Sequence, residues 1–162
     1  MAMRTVKAWF HEYSLAHRNP INRKIHKVCV PLIYWSVFGV LWALPRIGPM
    51  NHTPGLNWAT LVLVGTQVFY YRLGLTYFIE MLVFSMLSIL VYVQFDLHNL
   101  PLGRVSAVVF VLAWIGQFIG HKLEKEKPAF FDDLTFLLIG PIFIINGFKL
   151  AISSQPKGDP KD

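Results

Sequence analysis

The sequence predicts an all-α, multi-pass membrane bundle of about four to five spanning or re-entrant helices, preceded by an N-terminal amphipathic helix. Three observations predict it. Of the 162 residues, 54% are apolar, and the mean hydropathy is +0.47. Only 15% are charged, against about 25% in an average soluble domain. The charges also collect at the two ends and in a few short islands, leaving long runs nearly uncharged, which is the pattern of segments dissolved in lipid. The length suits one membrane-embedded domain over residues 1–152, with a polar tail at 153–162 expected to be disordered. The formal net charge of +6 points to topology and anionic headgroups, so membrane lipids are expected as partners and nucleic acid is not.

Residues 3–17 place Val6, Trp9, Phe10, Tyr13 and His17 at spacings of three and four, the period of a helix with one apolar face. Aromatic and basic residues together suit a helix in the headgroup layer, and packing against the rest of the protein is a compatible alternative. Arg4 and Lys7 lead into this segment rather than into a short apolar core with a cleavage site. No cleavable signal is therefore expected, and the first apolar run acts as its own signal. Asn19-Pro20 is a helix start, with Asn as cap and Pro at the first helical position. That helix carries Arg23, Lys24, His26 and Lys27 into an apolar run from Val28 to Leu44, ended by Pro45, Gly48 and Pro49.

The run Trp58 to Tyr71 is short for a hydrocarbon layer that wants ~20 helical residues. It is either a span with a buried end or half of a tight hairpin turning at Arg72 and Gly74. Leu75 to Phe95 is long enough to span and contains Glu80, which either pairs with Arg72, lines a site or is satisfied by other neighbours. Val105 to Ile119 leads into His121. Leu134 to Ile152 contains Gly140-Pro141, an expected kink. The lone Cys29 excludes an internal disulfide and reads as a small buried hydrophobe.

Two stretches concentrate polar chemistry at the ends of apolar runs. They are His17-Arg18-Asn19-Pro20-Ile21-Asn22-Arg23-Lys24-Ile25-His26 and Gln117-Phe118-Ile119-Gly120-His121-Lys122-Leu123-Glu124. The number of crossings between them is even whether or not the second and third runs form a re-entrant hairpin, so both stretches face one side. Lys and Arg are concentrated on that side, which the positive-inside rule makes cytoplasmic. Asn22 and His26, and Gln117 and His121, are each four apart, and Glu124 follows His121 by three, so each set shares a helix face. Two or three imidazoles with one carboxylate suit non-haem Fe(II), and zinc is also compatible. A structural histidine cluster is the bland alternative. It would make the chain a non-catalytic membrane scaffold or transport accessory, whereas zinc on the same residues would make it a membrane hydrolase.

Other chemistries fit poorly. There is no Gly-rich phosphate loop and no Ser or Cys nucleophile motif. Six scattered histidines cannot supply the HxxHH boxes of membrane desaturases. Same-side, surface-level histidines do not favour a haem held between helices at mid-membrane. His52 and His98 read as far-side loop residues, and His11 stays open.

The pattern Tyr13…His17…Asn19-Pro20…Asn22…His26…Pro31, followed by Trp114-Ile115-Gly116-Gln117-Phe118-Ile119-Gly120-His121…Glu124…Lys127-Pro128-Ala129, resembles the family of small multi-pass 2-hydroxy fatty acid dioxygenases. That family is known from yeast phytosphingosine breakdown and has bacterial relatives. The resemblance covers nearly the whole chain. It implies an Fe(II)-dependent enzyme that uses molecular oxygen to shorten 2-hydroxy fatty acids by one carbon, a lipid α-oxidation. It further implies that His17, His26 and His121 are essential and that Glu124, Asn22 and Gln117 support them; His17, His26, His121 and Glu124 are the metal candidates, and the resemblance does not separate direct ligands from the residues that support them. Glu80 is a further supporting candidate. The compact chain favours a bacterial cytoplasmic membrane over the endoplasmic reticulum. Acyl length and the number of copies in the assembly are not encoded in these motifs.

Overall fold

The computed structural model describes residues 6–15, 19–124 and 135–153. His17, the segment 125–134 and the tail from residue 154 lie outside the described residues, as do the side chain of Glu124 and the side chains beyond Asn146. All regular structure among the described residues is helical. The helices are α1 (Val6–Leu15), α2 (Pro20–Ala43), α3 (Trp58–Leu73), α4 (Leu75–Leu97), α5 (Leu102–Glu124) and α6 (Phe136–Ser153), with a short 3-10 turn at Gly48–Asn51.

The local signals explain the boundaries. Asn19 caps α2, its side-chain oxygen accepting from the backbone N–H of Ile21 at 2.9 Å and of Asn22 at 3.5 Å. This satisfies donors that the first helical turn leaves orphaned. Asn57 and Thr60 form a reciprocal capping box at the start of α3, a pairing that fixes where the short apolar run begins. Gly74, at φ +146°, ends α3 and starts α4 with no intervening loop. Only glycine adopts that backbone without strain.

Among the described residues, α2, α4 and α5 are long and apolar enough to cross a membrane. With the 16-residue α3 they form a four-helix bundle in which the direction alternates. At the far end, away from the start of α2, Trp42 Nε1 donates to Asp96 at 2.8 Å, and Trp58 Nε1 donates to the Pro45 carbonyl at 3.0 Å. Within the bundle the Tyr92 hydroxyl donates to the Trp35 carbonyl at 2.6 Å, and Gln67 donates to Ser85 at 3.2 Å. Such bonds matter because a bilayer core offers polar groups no water.

Helix α6 contains Pro141 and is bonded to the bundle at two places. Tyr70, near the end of α3, donates to the Leu138 carbonyl at 3.0 Å. Asn146, two turns further along α6, donates to Glu80 near the start of α4 at 3.0 Å. Both partners lie close to the α3–α4 turn, so α6 crosses that end of the bundle. Helix α1 packs on α6 through rings: Trp9 meets Phe136 edge-on at 5.1 Å, and Tyr13 lies 4.5 Å from Phe143. The amphipathic face of α1 is therefore spent on protein.

Candidate functional site

Helices α2 and α5 approach closely because small residues face each other along their shared seam. An added methyl at Gly39 would collide with the Ser106 side chain, and one at Gly120 with the Asn22 side-chain oxygen. At Gly116 it would stand 2.7 Å from the Cys29 sulfur, and at Gly103 3.0 Å from the Ala43 methyl. Within lipid, close backbone packing of this kind substitutes for the missing hydrophobic force between helices. Its consequence here is register. The first turns of α2 lie beside the last turns of α5, and His26 meets His121.

The two imidazole Nε2 atoms are 3.1 Å apart, with ring centroids 4.8 Å apart and the rings nearly perpendicular. Both residues are buried, at 3% and 5% exposure. The second ring nitrogen of His26, Nδ1, lies 3.0 Å from the Asn22 carbonyl oxygen, one turn back on the same helix. A carbonyl only accepts, so this Nδ1 carries the proton, and in the neutral ring Nε2 presents its lone pair towards His121. A backbone carbonyl that fixes one ring nitrogen and so aims the other is how ligand histidines are ordinarily oriented; here the aimed nitrogen is within hydrogen-bond distance of His121 Nε2.

The spacing admits a metal. Two nitrogens on one ion at ~2.1 Å are roughly 3.0 Å apart at a right angle and about 3.4 Å apart at a tetrahedral angle. The observed separation falls within that interval. Among the described residues no third His, Cys, Asp or Glu completes a cluster. The further ligands expected from the sequence are His17, outside the described residues, and Glu124, whose backbone ends α5 one turn past His121.

The pair stands at one end of a cavity of about 200 Å³. Gln117 lines it beside His121, and Trp114 lies one turn deeper on α5. Its walls are otherwise mainly apolar, with Val30, Ile33, Val37 and Phe38 from α2, Val62 and Thr66 from α3, and Phe136 to Leu138 from α6. Tyr13 of α1 also reaches the cavity, its hydroxyl against Gly140. Burial pushes the ionisation of Tyr13 far above the ordinary phenol range, so it faces the cavity as a neutral phenol. Arg23 and Lys122 are exposed beside the histidine end.

Of the expected site residues, the structure brings Asn22, His26, Gln117 and His121 together. Glu80 stands apart, accepting from Asn146 between α4 and α6, outside the cavity lining. His11, His52 and His98 are exposed. The sequence reading did not assign Tyr13, Tyr34, Thr66 or Trp114 to a site. Tyr13 and Trp114 carried a signal, since both open the two halves of the pattern that carries the family resemblance. Tyr34 and Thr66 carried none, being single polar residues in apolar runs.

The chain is similar to proteins already known. The family model described as "Mpo1-like: 2-hydroxy-palmitic acid dioxygenase Mpo1-like" matches residues 3–151. The chain is 29% identical over 148 residues to the Saccharomyces cerevisiae protein named "2-hydroxy-palmitic acid dioxygenase MPO1", covering 90% of this chain and 80% of the yeast protein. No solved structure matches.

Proposed function

The chain belongs to the Mpo1-like 2-hydroxy-palmitic acid dioxygenase family, and from that premise we propose that it is an Fe(II)-dependent dioxygenase that converts 2-hydroxy fatty acids into acids one carbon shorter. One observation carries the reading: two imidazoles with their Nε2 atoms 3.1 Å apart stand at the head of an apolar cavity in a membrane bundle. His26 and His121 would hold the ion, with His17 and Glu124 completing its ligands. When bound there, iron(II) supplies a centre able to engage both oxygen and a 2-hydroxy acid.

The chain's own residues supply the remainder. Asn22 fixes the His26 ring through its carbonyl. Arg23 and Lys122 draw the substrate carboxylate to the mouth. Gln117, buried beside His121, offers an amide to the carboxyl and hydroxyl groups of the head. Tyr13 and Phe136 cover the head from α1 and α6 and limit water. The apolar wall takes the acyl chain, which gains by leaving water. The overall change balances as R–CH(OH)–COOH plus O2 giving R–COOH, CO2 and H2O, with the C1–C2 bond broken. The site opens on the cytoplasmic face, and the lysine and arginine distribution supports that orientation. A bacterial cytoplasmic membrane is the proposed location.

The test is elemental analysis of the detergent-purified protein beside His121→Ala, followed by oxygen uptake with 2-hydroxypalmitate. Near-stoichiometric iron that is lost in the variant, with uptake reduced at least about a hundredfold, is the expected outcome. Zinc lost in the same way, or no metal after anaerobic Fe(II) loading, would overturn the reading.

A further inference from the structure

Three residues that wall the cavity are also open to the outside of the bundle. Val37 on α2 is 38% exposed, Val62 on α3 43% and Leu137 on α6 39%. A lining side chain that keeps this much accessible surface, beside others of the same cavity that are buried, marks a break in the wall. Because these residues belong to three helices, the break is a slit between elements. Beyond it the bundle is shut, for Phe38, Trp42, Ala59 and Leu63 are all buried. The slit therefore starts near the histidine end and stops at the level of Val37 and Val62.

We propose that the slit admits the acyl chain sideways from the bilayer, and that the far end of the chain stays free to leave between Val37 and Val62. This rests on the reading that the cavity holds a 2-hydroxy fatty acid. Entry from the aqueous face would expose every methylene to water, whereas entry through the slit keeps the chain in an apolar phase throughout. The dimensions fit. Phe38 follows His26 by twelve residues, roughly 18 Å of helix at ~1.5 Å per residue. An extended chain advances about 1.3 Å per ~1.5 Å carbon–carbon bond. About thirteen to fourteen carbons beyond the reacting head thus reach the level of Val37 and Phe38, and any further carbons pass out beside Val37 and Val62 into the lipid instead of meeting a wall.

Two readouts on the full-length, iron-loaded protein test this. The first is turnover of 2-hydroxyoctanoate, 2-hydroxypalmitate and 2-hydroxytetracosanoate. Wild type should use the two longer acids with kcat/KM values within about threefold of each other, and Val62→Trp, at wild-type iron content, should lower the ratio of 2-hydroxypalmitate to 2-hydroxyoctanoate turnover at least about tenfold. Val62→Ala serves as the second variant and should move that ratio by less than about threefold. The second readout needs no turnover. Stearate spin-labelled near its carboxyl should be immobilised on the protein, and stearate labelled near its methyl end should remain mobile. A wild type that turns over 2-hydroxypalmitate but rejects the longer acid would overturn the inference. So would an unchanged ratio in Val62→Trp, or equal mobility of the two labels. Inactivity of wild type on every 2-hydroxy acid, with the two labels still behaving differently, would overturn the dioxygenase reading and leave the slit supported.

Discussion

Asn22 fixes His26 through its backbone while its side chain fills the space left by a glycine on the facing helix. Its carbonyl holds His26 Nδ1, and its side-chain oxygen stands where a methyl on Gly120 would have to go. Asn22 is fully buried, so the collision has no outlet into solvent. Gly120→Ala should therefore push the start of α2 away from α5, open the Nε2–Nε2 separation and misdirect the His26 ring. The expected loss in metal affinity is about 10–100-fold, the range found when the groups that orient ligand histidines are removed. Metal titration of the purified variant, with circular dichroism confirming its helices, checks this. An unchanged affinity would mean that the α2–α5 approach at Gly120 does not govern the pair. Asn22 was legible as a candidate position, four residues before His26. Its acting through a backbone oxygen was not, because every residue type carries one.

At the scale of elements, α2 is the platform for half of the site, and its first turn depends on Asn19. The cap, the Pro20 start and the spacing of Asn22 and His26 are all local, and all could be read from neighbouring residues. Asn19→Ala should cost about 1 kcal/mol of stability by leaving orphaned amides without an acceptor, and Asn19→Asp should retain most of it. Thermal unfolding of both variants in the same detergent measures the difference, and equal midpoints for wild type and Asn19→Ala would discount the cap. Helix α6 shows the opposite situation. Its apolar sequence reads as another run of spanning length, yet the bonds from Tyr70 to Leu138 and from Asn146 to Glu80 tie it across the bundle end. Hydropathy records that a helix is apolar throughout and contains no term for its tilt.

At the scale of the molecule, the alternation of α2 to α5 places the α3–α4 turn and the end of α5 on one side, with the loops around Thr53 and Asn99 on the other. Single cysteines in a Cys29→Ala background test this arrangement with a membrane-impermeant thiol reagent. Arg72→Cys and Lys122→Cys should label together from the cytoplasmic side, and Thr53→Cys and Asn99→Cys together from the opposite side. Labelling of Arg72→Cys and Lys122→Cys from opposite sides would contradict the four-helix path. Labelling of all four in the assigned pairs but from reversed faces would contradict only the cytoplasmic assignment.

The sequence by itself determined the helical membrane class, the start of α2 at Asn19-Pro20, the two polar stretches and their same-sidedness. These follow from composition, from short-range capping and from the parity of crossings, each of which is additive along the chain. Only the tertiary structure decided that His26 and His121 point at each other, that Glu80 accepts from Asn146 of α6, and that the cavity beneath the pair is slit along one side. Those outcomes depend on how closely α2 and α5 pack and on how α6 crosses the bundle end. Both are set by side chains far apart in sequence fitting into one another, a property that no single stretch contains.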